Sequence, residues 1–304
     1  MKRLLMVIPL LAIVSTCRAA LPINTEVLKK AVVFIYPARP DGTVDGDHPL
    51  GTGFLVGVPK QNSSSAYLFP GYRATHTRPD WAFCPPSPQK VFLRFNKTNY
   101  DPEKDQTGVE YVPLELVING RPVYKVSDDD RVDAAIVQLN LPALPQSKYD
   151  YLPIIMADFA TPEEIKALTI GDSIASAGLL PGSSGIKRNY PFFKFGNISN
   201  IPDEPVWSGC AGMPALRFER VWFVAANLVA GNSGSPIFYV PNGSPGVILG
   251  GAIMRPVLVG VQSMSLGGAD IAGMTPVADL FKIIEQKTGL QTLDLYRGSL
   301  PKPK

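Results

Sequence analysis

The chain has 304 residues, 45% of them hydrophobic, which is enough to bury one large core or two modest ones. It carries 29 basic and 26 acidic residues, a net charge of +3. Three of the basic residues, Lys2, Arg3 and Arg18, belong to an N-terminal signal; without it 26 basic residues face 26 acidic ones, which gives no argument for nucleic acid or an anionic membrane. Two histidines and no CxxC pair leave no metal-ligand cluster, and no cofactor is expected.

Met1-Lys2-Arg3 followed by the apolar run Leu4–Val14 has the length of a signal peptide and is too short to span a membrane. Cleavage after residue 19 is expected, with the protein secreted or periplasmic. Lipoprotein anchoring at Cys17 fits less well, because Thr precedes the cysteine. Of the remaining cysteines, Cys84 and Cys210 form either one disulfide or two separate buried thiols.

Thirty prolines and 27 glycines among many short apolar runs predict strands and turns. A first series comprises Ala31–Tyr36, Gly51–Val56, Ala66–Phe69, Lys90–Phe95, Tyr111–Val117 with an Asn119-Gly120 hairpin turn, and Val132–Leu139. Thr161–Ala167 reads as a capped helical turn where a linker would lie. A second series follows: Asp172–Ala177, Phe192–Ser199, Val221–Leu228, Pro236–Val240, Val247–Met254 and Leu258–Ser263. Val277, Leu280, Ile283 and Ile284 then recur at helical spacing within Pro276–Lys287. These series suggest β units over residues 24–165 and 166–290, the second with its closing helix, and a tail over 291–304. The apolar run Gly246–Val261 is split by Arg255 and Pro256, so core strands are expected there and no membrane span.

Asn227–Pro236 reads NLVAGNSGSP, with glycines at 231 and 234 around Ser233. Glycines let the backbone fold tightly, so that the amides of Gly231 and Ser233 can point at a developing oxyanion while the hydroxyl stays open. The plain alternative is a Gly/Ser hairpin turn between two core strands. Two further stretches complete a triad in the order His, Asp, Ser: His76 in Arg73-Ala74-Thr75-His76, and Asp133 in Val132-Asp133-Ala134-Ala135-Ile136. Histidine would take the serine proton and a buried carboxylate would hold its tautomer. His48, in a polar turn before the second strand, is the weaker candidate.

These motifs resemble the trypsin/chymotrypsin-like serine peptidases of the bacterial exported type, over roughly residues 28–285. Gly51–Val56 is similar to the family's opening strand, Val132–Leu139 to its aspartate strand, and Gly171-Asp172-Ser173-Ile174 with Gly178 to the strand that opens its second barrel. Gly196–Ser199 is similar to another of its strands, and Gly231–Pro236 to its nucleophile loop. The resemblance implies an all-β fold of two antiparallel six-stranded β-barrels (chymotrypsin-like) with a C-terminal helix and the site between the barrels. It also implies that Val261, Gln262 and Ser263 pair with substrate, that Asn227 sits where the family places its pocket-floor residue, and that Met274-Thr275-Pro276 is the turn before the last helix. One segment departs from the pattern: an ungapped comparison puts Arg73 at the catalytic histidine position. Using His76 requires about three extra residues, which the Pro70-Gly71 pair makes room for. Two functions follow. One is an exported serine endopeptidase acting on polypeptide through an acyl-enzyme; the other is an inactive pseudopeptidase of the same fold that binds polypeptide. Natural substrate and oligomeric state are not encoded in any motif.

Overall fold

The computed structural model describes residues 25–60, 63–70, 88–139, 144–180, 182–208, 217–229, 231–241, 255–266 and 270–288. The segment before the first strand is a helix, α1 (Thr25–Ala31), that buries Leu28 and Ala31. Then come β1 (Val32–Pro37), β2 (Gly51–Lys60), β3 (Ser63–Pro70), β4 (Lys90–Asn96) and β5 (Val109–Glu115). β1 and β4 are buried on both faces, which is why they read as apolar runs without alternation, broken in β4 by the buried Arg94. The Asn119-Gly120 turn joins β6 (Val117–Ile118) to β7 (Arg121–Pro122) as expected. Both central residues have positive φ, 51° and 72°, the signature of the primed hairpin turn.

β8 (Lys125–Val126), β9 (Ala135–Gln138) and β10 (Ile154–Ile155) complete the first sheet. The Asp133 stretch is therefore shorter as a strand than its apolar pattern suggests: Val132, Asp133 and Ala134 are buried ahead of the ladder. The sheet runs β5-β4-β1-β2-β3-β9-β8, and β10 pairs in parallel with the far end of β2. It has eight strands where six were expected, because the short β8 extends the path and β10 adds to it from the side.

The linker carries α2 (Pro162–Ala167), capped by Thr161 and Glu164 in a reciprocal box with bonds of 3.1 and 2.8 Å. Arg255 fixes this linker to the second half. Its guanidinium meets both carboxylate oxygens of Glu164, at 3.2 and 3.1 Å, and the carbonyls of Ala157 and Phe159.

β11 (Ser173–Gly178), β12 (Phe192–Asn200), the hairpin β13 (Val206–Ser208) and β14 (Arg217–Glu219), then β15 (Trp222–Ala225), β16 (Pro236–Tyr239), β17 (Val257–Leu266) and β18 (Ile271–Pro276) follow. All but the hairpin close a six-stranded barrel in the order β11-β12-β15-β18-β17-β16. Met274-Thr275-Pro276 is thus barrel strand and no turn: Met274 and Thr275 are fully buried between β15 and β17. The strand expected at Val247–Met254 lies outside the described residues. Helix α3 (Val277–Thr288) closes the fold and buries the four residues predicted from its spacing, Val277, Leu280, Ile283 and Ile284. Among the described residues no helix is long and apolar enough to cross a membrane.

The first sheet is apolar on both faces. Val33, Ile35, Leu55, Leu93 and Phe95 form a core of their own. Phe34, Phe54 and Ile136 instead join one cluster with Ile174, Val224, Met274 and α3. One continuous core therefore spans both halves.

Candidate active site

The loop between β15 and β16 is built by its own short side chains. Asn232, almost fully buried, accepts at Oδ1 from the Val229 amide (3.0 Å) and donates from Nδ2 to the Leu179 carbonyl (2.7 Å). Its backbone closes two turns, with N–H to the Val229 carbonyl (3.0 Å) and carbonyl to the Ser235 amide (2.8 Å). Gly231 and Gly234 stand at φ 93° and 87°, a region that side-chain-bearing residues avoid, so glycine is needed at both.

Thr52, on β2, moors this loop to the first half. Its amide donates to the Ser233 carbonyl (3.0 Å), and its hydroxyl donates to the Gly231 carbonyl (2.9 Å) while accepting from the Leu179 amide (2.9 Å). On the other side β17 takes over: the Gly234 amide donates to the Gln262 carbonyl (2.8 Å), and the Gln262 amide to the Ser235 carbonyl (3.0 Å). Most backbone groups near Ser233 are hydrogen-bonded. Among the described residues, neither the amide of Gly231 nor that of Ser233 donates a hydrogen bond, and the Ser233 hydroxyl meets no partner. A hydroxyl and two amide N–H groups in one turn are groups of the kind that nucleophilic attack and oxyanion binding use.

Ser233 is also completely buried, at 0% exposure. A substrate carbonyl reaches its hydroxyl only after neighbouring groups move.

Asp133 lies just ahead of β9 with 1% of its surface exposed. Its carbonyl accepts from the Thr275 hydroxyl at 2.8 Å across the junction of the two halves. Thr275 pairs with Val261, and Val261 with Pro236, the residue that ends the nucleophile loop. Successive strands lie about 4.8 Å apart, so this row brings the aspartate and serine segments to one region. His76, Cys84, Cys210 and Cys17 lie outside the described residues. His48 is 78% exposed and its ring Nδ1 is 2.9 Å from Asp45 Oδ2, a surface pair in the turn before β2.

The residues expected to hold substrate are placed unevenly. Val261, Gln262 and Ser263 are all buried, and β17 is paired on both edges. Its register shifts between Gln262 and Met264, which leaves Ser263 as the place where the ladder is interrupted. Asn227 is exposed to solvent.

Two residues support the loop from outside it, Lys194, which was not apparent in the sequence, and Gly178, which was read there only as part of a strand motif. Lys194, half-buried on β12, donates to Asn232 Oδ1 at 2.9 Å; its burial lowers the lysine pKa. Gly178 is the other. A β-carbon there would overlap the Ser235 hydroxyl and lie 2.9 Å from Asn232 Nδ2. Gly178→Ala is therefore expected to displace the nucleophile loop and cost about 1–3 kcal/mol, read as a lower urea midpoint. An unchanged midpoint would mean that the loop yields freely. Among the described residues no group of three or more His, Cys, Asp or Glu side chains could hold a metal ion.

Fold and site together define an all-β protein of two antiparallel halves with a serine-bearing glycine turn at their junction. No family model and no curated protein matches the sequence. Among solved structures the chain is similar to the MamO protease domain from Magnetospirillum magneticum, at 14% identity and a TM-score of 0.49, over 88% of this chain and 100% of that one. It is also similar to Rv3671c from M. tuberculosis H37Rv, at 17% identity and a TM-score of 0.41, over 87% and 90% of the two chains. Human heparin binding protein follows at 14% identity and a TM-score of 0.44, over 93% and 97%. These structures have chymotrypsin-like serine protease folds.

Proposed function

We propose that the chain is an exported serine endopeptidase. Ser233 attacks the peptide carbonyl, His76 takes and returns the proton, and Asp133 orients His76. The amides of Gly231 and Ser233 hold the oxyanion. The observation that carries this reading is one glycine-framed turn in which the Ser233 hydroxyl and the amides of Gly231 and Ser233 meet no hydrogen-bond partner among the described residues, as the neighbouring buried Ser235 hydroxyl also does not. Export rests on the N-terminal signal pattern alone.

A second reading is favoured by one observation. The complete burial of Ser233 suits a pseudopeptidase that binds polypeptide without cleaving it. Labelling with a fluorophosphonate probe, read by intact mass, separates the two. The peptidase reading expects labelling that disappears in both Ser233→Ala and His76→Ala. Labelling that survives His76→Ala would remove that histidine from the mechanism. No labelling of folded protein would leave the binding reading.

A further inference from the structure

Lys194 of β12 stands opposite Ser176 of β11, a residue 1% exposed, so one side of the lysine is packed against dry protein. Ser176 and Gly178 share one face of β11, and the missing β-carbon of Gly178 leaves room there for Asn232 and the Ser235 hydroxyl. The loop leading into β12 is clasped by Arg94 of β4 through the carbonyls of Ser184, Gly185 and Ile186, which ties this strand to the first half as well.

The lysine head makes one hydrogen bond among the described residues, 2.9 Å to Asn232 Oδ1, and no carboxylate among them pairs with it. Burial lowers its pKa, and no neighbouring anion raises it again. The shape of the turn does not call for this cation. The Asn232 side chain is already fixed at both ends, by the Val229 amide and the Leu179 carbonyl, and a neutral donor would serve the remaining lone pair as well. What the lysine adds is an uncompensated positive charge.

Asn232 immediately precedes Ser233, whose amide is assigned to the oxyanion. One hydrogen bond and one asparagine side chain separate the ammonium from that amide, a span of under about 10 Å. This is within about one screening length at moderate salt, and a partly buried charge is screened less than an exposed one.

We infer that the Lys194 ammonium supports the reaction at Ser233 by its charge, acting across the turn on the oxyanion. As Ser233 Oγ bonds to the carbonyl carbon, the carbonyl π pair moves onto oxygen and the hydroxyl proton passes to His76. The ammonium lowers the energy of that new negative charge, to which the amides donate directly. Lys194 itself touches no substrate and acts as a positioning residue. The inference rests on the peptidase reading for the reaction and on the Lys194–Asn232 geometry for the charge.

Fluorophosphonate labelling is followed at neutral pH over a range of probe concentrations, which separates probe affinity from the limiting rate. Lys194→Gln keeps a donor without the charge, Lys194→Met removes both, and Lys194→Arg keeps both. Limiting rates about tenfold lower are expected for Lys194→Gln and Lys194→Met, with probe affinity within about twofold and urea midpoints within about 0.3 M of the parent. Lys194→Arg should restore the rate to within about threefold of the parent. A full rate in Lys194→Gln would mean that the hydrogen bond matters and the charge does not. A rate in Lys194→Arg as low as in Lys194→Met, or rates that fall in step with the urea midpoints, would mean a structural role. Each of these results overturns the inference, as do variants that all match a labelled parent, and each leaves the peptidase reading standing. A folded parent that takes no label discards that reading and the inference with it.

Discussion

Ser233→Ala is expected to remove peptide hydrolysis, by about 10⁴-fold or more, while leaving the protein as stable as before or more so. The two effects have the same origin. The hydroxyl is buried and has no hydrogen-bond partner among the described residues, an arrangement that costs about 1–3 kcal/mol in a fold selected for stability alone. Alanine fills nearly the same space and leaves nothing unsatisfied, so the melting temperature should hold or rise by a few degrees. Peptide hydrolysis and thermal melts of the two proteins check this. A melting temperature that falls by about 5 °C or more would mean that the hydroxyl is a structural bond of an ordinary hairpin turn, and the catalytic reading would lose its best support.

The largest loss of stability is expected at Arg94, outside the nucleophile loop. Arg94→Met keeps much of the volume but strips hydrogen bonds from three carbonyls, those of Ser184, Gly185 and Ile186. Nothing else among the described residues donates to them from a side chain. The three acceptors sit on half-buried or exposed residues, so water replaces part of the lost bonding, and a total of about 2–4 kcal/mol is expected. Asn189 would hold part of the loop, since it donates to the Arg94 carbonyl (2.6 Å) and its amide bonds Asn96 (2.7 Å) through groups that the substitution leaves in place. Urea unfolding measures the change. A loss under about 1 kcal/mol would show that the carbonyls find water at once and that the clasp is superficial.

Most strands were legible because their apolar runs are bounded by glycine, proline or polar turns, and α2 and α3 because cap and spacing agree with the helix. The failures have physical causes. Ile271–Pro276 contains Gly273 and Pro276, poor strand formers that signal a turn, yet pairing on both edges in a closed barrel overrides that preference. The β13–β14 hairpin escaped notice because its cross-strand contact, Trp207 on Phe218 with ring centres 3.9 Å apart, joins short segments far apart in an otherwise polar stretch. Ser233 and Asp133 could be picked out because glycine spacing and an acid on an apolar run are local signals. Arg94 and Lys194 could not: each is a cation in an aromatic strand, and only the packing of the other half decides whether such a residue faces water or is enclosed.

Because Phe34, Phe54 and Ile136 of one half share a cluster with Ile174, Met274 and α3 of the other, and Thr52 is moored to the serine loop, the halves cannot melt in turn. Each expressed alone would present the face of that cluster to water. The heat absorbed on unfolding should accordingly appear as a single transition, with calorimetric and van't Hoff enthalpies in agreement.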